Sequence, residues 1–176
     1  MKQKIFTACL VSAACFNDHA AIAANINANA TATIVAPVSI EKDTGNIHGK
    51  TSGNMSFGFI SPGFAQGTAQ LFSGGTAEGS NGVNITGSYG SSWLIVSGEP
   101  GTIVNISFSS GNSCTLTHES DPEKHLYLIN LETESSTVTI DASGNAAFSI
   151  GGTLMVPSNA LHGLYTGSYD VSFELQ

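Results

Sequence analysis

The sequence has no arginine, and its 5 basic residues, all lysine, stand against 13 acidic ones for a formal net charge of −8. Nucleic-acid binding needs Lys and Arg to neutralise phosphates, so a nucleic-acid partner is excluded on charge grounds. Anionic membrane surfaces are disfavoured for the same reason. Charged residues of either sign make up only 10% of the chain. Polarity is carried instead by Ser, Thr and Asn, among 20 glycines. Helix surfaces favour Lys, Glu and Arg, whereas small hydroxyl and amide side chains suit the wet face of an antiparallel sheet and its turns.

Long apolar runs are also scarce, and the one near the N-terminus reads as an export signal. Lys2 and Lys4 supply its positive start, residues 5–16 an apolar core too short to span well, and Ala21-Ile22-Ala23 a small-x-small cleavage site. Cleavage is expected after Ala23, which makes 1–23 the signal peptide and leaves the mature chain without a transmembrane segment. A lipoprotein acylated at Cys15 is the competing reading, but Ser12 stands where such sites carry an aliphatic residue. Once Cys9 and Cys15 leave with the signal, Cys114 is the sole thiol, and no internal disulfide can form. In Ser113-Cys114-Thr115-Leu116 it reads as a small buried hydrophobe on a strand. No neighbouring cation marks it as a reactive thiol.

Two strict alternations frame the mature chain. At its start Ile26, Ala28, Ala30, Ala32, Ile34, Ala36, Val38 and Ile40 fall on even positions, with Asn25, Asn27, Asn29, Thr31, Thr33 and Ser39 between them and Val35 and Pro37 as exceptions. This run exceeds the usual strand of about five or six residues. It is long enough for an N-terminal extension over 24–30, a candidate donor strand, followed by a single domain over 31–176. Pro37 lacks a ladder donor and belongs at an edge or at a crossing between sheets. At the other end Tyr165, Gly167, Tyr169, Val171, Phe173 and Leu175 alternate with polar residues up to Gln176. Period two predicts one long strand with a buried and a wet face. It is still running at Gln176, so nothing later in the sequence is expected to cover it.

Between these runs lie short apolar segments punctuated by Gly, Asn, Asp and Ser: 55–60, 68–72, 83–86, 92–96, 103–108, 114–117, 126–131 and 137–140. Trp93-Leu94-Ile95-Val96 is continuously apolar and predicts a central strand covered on both faces. Gly98-Glu99-Pro100-Gly101 predicts a turn. Gly151-Gly152 is expected to bend the chain between strands at 146–150 and 153–156. About ten short strands and no convincing helix predict an all-β fold, an antiparallel β-sandwich.

Chemistry-bearing patterns are weak. Gly45-Asn46-Ile47-His48-Gly49-Lys50-Thr51 has three residues between its glycines where a phosphate-binding loop needs four, and a strand rather than a helix follows it. His118-Glu119-Ser120-Asp121-Pro122-Glu123-Lys124-His125 matches neither a calcium loop nor a zinc spacing and reads as a solvated acidic loop. His48 and His162 sit beside glycines in expected turns. There is no Gly-x-Ser-x-Gly elbow. Tyr89, Trp93, Tyr127 and Tyr165 are candidates for a sugar platform, though core packing is the commoner fate of such rings. No enzyme activity, metal or cofactor is expected.

The residues 148–154 (Phe-Ser-Ile-Gly-Gly-Thr-Leu), Val156-Pro157, and the repeat Gly163-x-Tyr165-x-Gly167-x-Tyr169-x-Val171 resemble a family of exported bacterial domains, the domain of unknown function four-four-zero-two. So do the opening residues 30–40 and Phe57-Gly58-Phe59-Ile60. That family is similar to immunoglobulin-like subunits of chaperone–usher fimbriae and to spore-coat-like secreted proteins. The resemblance implies an exported immunoglobulin-like sandwich. Many fimbrial subunits carry a disulfide near the first strand, which this chain cannot form.

The pair of alternating ends leads to an expected function: an exported structural subunit of a fimbria-like or surface assembly, joined to its neighbours by strand addition and located from the periplasm to the cell surface or outside the cell. Ile26, Ala28, Ala30, Ala32 and Ile34 would be the donor, and the strand carrying Tyr165, Gly167, Tyr169, Val171, Phe173 and Leu175 would line the acceptor groove. Partners would be other copies or related subunits, with a periplasmic chaperone and an outer-membrane usher. The alternative is a self-complete, secreted or surface-displayed module whose loops bind a glycan or a host protein.

Overall fold

A computed structural model describes residues 38–43, 53–109 and 111–176. The described part falls in the compact unit Val35–Gln176. The donor run from Ile26 to Ile34, and His48, lie outside the described residues. Among those described the fold is all-β, with thirteen strands: β1 (Ser39–Lys42), β2 (Phe59–Ser61), β3 (Gly67–Leu71), β4 (Ala77–Gly79), β5 (Asn84–Thr86), β6 (Ser92–Ser97), β7 (Ile103–Phe108), β8 (Cys114–His118), β9 (His125–Thr133), β10 (Thr137–Thr139), β11 (Asn145–Val156), β12 (Tyr165–Thr166) and β13 (Val171–Leu175). Every pairing is antiparallel. No helix among them is long and apolar enough to cross a membrane, which says nothing of strands.

The larger sheet has eight strands in the order β1-β6-β11-β9-β8-β12, with β3 and β4 joined to the far half of β11. The second has three, β10-β7-β13, and β2 pairs with β5 apart from both. The two main sheets make the sandwich expected from the sequence. Its core joins Leu94 and Val96 of β6, Leu126 and Leu128 of β9, Phe148, Ile150, Leu154 and Val156 of β11, and Val104 and Ile106 of β7. Phe148 and Phe173 meet edge to face across it, with ring centroids 5.7 Å apart.

β11 is the spine. Its residues 145–150 pair with β6, 152–156 with β3, and 150–155 with β9 on the opposite edge. Gly151-Gly152 does not divide two strands as expected: one strand continues unbroken through both glycines for 12 residues. The glycines serve close approach instead. A Cβ on Gly151 would lie 2.3 Å from the Leu71 carbonyl oxygen, and one on Gly152 2.9 Å from Leu128 Cδ1. Opposite Gly152 the register with β9 shifts, and Asn130 takes up the extra residue in the left-handed region at φ 51°. That is a β-bulge, in which two residues face one and the strand twists more sharply.

Two further expectations are corrected in detail. Trp93-Leu94-Ile95-Val96 does lie inside a sheet, between β1 and β11, but its burial alternates: Leu94 and Val96 are buried, while Trp93 and Ile95 are only half covered. The C-terminal alternation is not one strand. It pairs with β8 through Tyr165 and Thr166, leaves the large sheet, and resumes at Val171 against β7 in the small one. Close packing at Gly167 marks the departure, since a Cβ there would lie 2.4 Å from the Thr115 carbonyl oxygen.

Candidate functional site: an open strand edge beside an apolar cleft

Backbone direction along β13 follows from its register. Val171 faces Phe108, Phe173 faces Ile106, and Leu175 faces Val104. Just beyond the strand the Ser109 N–H donates to Asp170 and the Gln176 N–H to Ile103. In an antiparallel ladder the bonded pairs alternate with unbonded ones. The even residues of β13 therefore turn their N–H and C=O toward β7, and Val171, Phe173 and Leu175 turn theirs away from it. The far side of β7 agrees, because the Ile106 N–H donates to Ser136 on the approach to β10. Among the described residues β13 pairs with β7 alone. Its outer edge thus presents the backbone groups of three residues, of which Val171 and Phe173 pack against the core while Leu175 is exposed.

Beside the start of β13 lies a cleft of about 720 Å³. Its floor is the inner face of the large sheet: Leu94 of β6, Cys114 and Leu116 of β8, Leu126 and Leu128 of β9, and Leu154 and Val156 of β11. Residues 53–60, with Met55 and Phe57, form one wall, and residues 160–171 form the other. The small sheet has three strands against eight, and the cleft lies over a part of the large sheet's inner face. Among the described residues that line it, Lys42 is the one lysine and there is no acidic residue; its Nζ donates to Asn54 Oδ1 at 2.7 Å.

The second wall is a strap pinned at His118, the last residue of β8. His118 is buried, not solvated as its acidic neighbourhood suggested. The Ser120 N–H donates to its Nδ1 at 3.2 Å, which leaves Nε2 to donate to the His162 carbonyl at 3.1 Å. The Tyr165 ring stands edge-on to the imidazole with centroids 4.9 Å apart, and the Tyr165 hydroxyl donates to the Leu161 carbonyl at 2.9 Å. Gly163, at φ 148°, allows this contact: a Cβ there would lie 2.1 Å from Nε2. His125 turns away and shares a hydrogen bond with Thr117, and His162 itself is exposed.

Of the six C-terminal positions singled out in the sequence, Tyr165, Gly167, Tyr169 and Val171 line the cleft, while Phe173 and Leu175 continue along the open edge. Burial pushes the Tyr169 phenol up, opposed by a side-chain hydrogen bond with Ser92. Burial also pushes up the Cys114 thiol, which keeps it protonated and a poor nucleophile on the floor. Sequence reasoning placed Leu94, Leu116, Leu126, Leu128 and Leu154 on strands but did not find them as a shared floor. Alternation shows which face is apolar, not which part of that face lacks a cover.

No curated protein and no solved structure matches the chain. One family model does, over residues 46–174, and its description is Domain of unknown function (DUF4402). The match takes in all of the described cleft lining except Lys42, together with the strap and all but the last residue of β13. With most of its length so matched, the chain belongs to the DUF4402 family.

Proposed function

We propose that the chain is an exported, immunoglobulin-like structural subunit of a fimbria-like or surface assembly, joined to its neighbours by β-strand addition. The observation that supports this most is the conjunction at β13. An edge with three unpaired backbone positions begins, at Val171, beside an apolar cleft. A strand laid there would form a main-chain ladder and press alternate side chains onto the leucine floor, which is how β-augmentation obtains affinity and specificity. It would also cap an edge otherwise open to aggregation. The run Ile26, Ala28, Ala30, Ala32 and Ile34 has the required period and an apolar inner face. Other copies or related subunits are the partners of this reading, handled by a periplasmic chaperone and an outer-membrane usher. The test deletes residues 25–30 and expresses the protein with its native assembly partners. Loss of polymers from an otherwise folded protein is the expected result. Polymers formed as before would refute the donor role.

A second reading draws on exposed aromatics. Phe59, Phe64, Tyr89 and Tyr127 are all exposed, as the binding face of a self-complete module would be. A protein that stays monomeric, unfolds cooperatively and binds a glycan array through these rings would favour that reading over the first.

A further inference from the structure

The cleft carries a chemistry of its own that does not depend on strand addition. Its floor side chains Leu94, Leu116, Leu126, Leu128, Leu154 and Val156 are all hydrocarbon. The hydroxyls beside them are already engaged. Ser92 Oγ donates to the Gly53 carbonyl at 2.7 Å, and the Tyr165 hydroxyl donates to the Leu161 carbonyl. Tyr169 shares a side-chain hydrogen bond with Ser92. A sugar or a peptide needs convergent polar groups to replace its water, whereas an alkyl chain needs only apolar surface.

The polar end of the occupant follows from the border. Lys42 is the one lysine among the described lining residues, and no acidic residue joins it, in a chain of net charge −8. Lys42 stands opposite Leu94 in the β1–β6 register, which puts both side chains on the same face of the sheet. It is exposed, so its stem can rest on the apolar floor while its ammonium turns from Asn54 to an incoming anion.

Length and volume set the rest. Leu116 is on β8, four strands from Lys42 in the order β1-β6-β11-β9-β8, which is about 19 Å across the sheet. One lipid acyl chain reaches about 15 Å, half the hydrocarbon thickness of a bilayer. The cleft volume of about 720 Å³ falls among sites that hold a single small molecule, about 300–1,000 Å³. We infer that the cleft binds one long-chain fatty acid, with its carboxylate at Lys42 and its chain along the leucine floor toward the strap.

The experiment uses the full chain, stripped of bound lipid, in equilibrium dialysis against octanoate, decanoate and dodecanoate below their micelle concentrations. Dodecanol serves as the uncharged control. The expected result is saturable binding of one dodecanoate per chain, with each added methylene tightening binding roughly two- to fourfold. Lys42→Met keeps the stem and removes the charge, so it should weaken dodecanoate about fivefold and leave dodecanol unchanged. Cys114→Phe, which fills the floor, should weaken both. If Cys114→Phe disturbs cooperative unfolding, Ser168→Trp narrows the cleft from the exposed strap wall instead. Absence of saturable binding to the folded protein would overturn the inference. So would many dodecanoates per chain, indifferent to the cleft-filling variants, because that is adsorption elsewhere. Equal effects of Lys42→Met on dodecanoate and dodecanol would overturn the assignment of the carboxylate end. Each of these failures leaves the strand-addition reading standing, since polymer formation tests it separately.

Discussion

The outward direction of the odd-numbered backbone groups in β13 can be tested with two prolines on adjacent residues. Glu174 faces Asn105 as a bonded pair, so Glu174→Pro removes a ladder donor from β7 and crowds that strand. The lost hydrogen bond costs about 1 kcal/mol and the stranded acceptor about 1–3 more. Glu174 is exposed, so none of this loss is apolar burial. Leu175→Pro removes an N–H that bonds nothing among the described residues, together with a side chain that is 47% exposed. Partial loss of that side chain costs roughly 1 kcal/mol. Guanidinium unfolding followed by Trp93 fluorescence should therefore place Glu174→Pro about 1–3 kcal/mol below Leu175→Pro. Leu175→Pro should still lose strand addition, because a proline on the open edge withholds a donor from the incoming ladder. Equal destabilisation by the two prolines, or a Leu175→Pro variant that assembles normally, would show that the edge has been assigned wrongly.

Amide exchange provides an independent check, since the N–H groups of Val171 and Phe173 should exchange at least about tenfold faster than those of Ser172 and Glu174 in the unassembled protein. Gly163→Ala should loosen the strap by driving a methyl into the His118 ring at a left-handed φ, at a cost of about 2–4 kcal/mol in thermal or denaturant unfolding, whereas Gly90→Ala, with open space around its Cβ position, should cost under about 1 kcal/mol. Cys114 should react with iodoacetamide only at higher pH in the folded protein than in denaturant, because burial raises its folded value. The sign for stability follows: this contribution is complete below the unfolded thiol's ordinary value and is lost as pH rises through the folded one, so Cys114→Ala should flatten the alkaline fall in stability.

Much of the sandwich was legible because β-alternation leaves a mark whenever one face is wet. β7 spans the residues that its alternation predicted, and β3, β6, β8 and β10 fall within a residue or so of expectation. Two departures have physical causes that no period can show. Gly151-Gly152 resembled a hinge, but the absence of side chains there admits the backbone of β3 on one edge and the β9 bulge on the other. The C-terminal run kept its alternation while changing sheets, because the inward face stays inward across the crossing between Thr166 and Val171. β4, only three residues long and paired solely with β3, carries too little pattern to be seen. The cleft was half legible. Its wall came from the Tyr165–Val171 alternation, but its floor depends on the small sheet being narrower than the large one. His118 was misread because its neighbours in sequence are acidic, whereas its neighbours in space are Tyr165 and the strap.

The position of β11 in the chain has a consequence for how the protein folds. The strand that joins β3, β6 and β9 begins only at Asn145, so the strands before it lack their common neighbour until most of the chain is available. Hairpins such as β8–β9 can form locally, but an isolated two-stranded hairpin is marginal in water. The long loops closed when β11 docks cost entropy before its contacts repay it, which puts folding in the slow, millisecond-to-second range of sandwich topologies. A chain truncated before Asn145 should therefore remain unfolded rather than form a smaller sandwich, and the full chain should fold in one late, cooperative step.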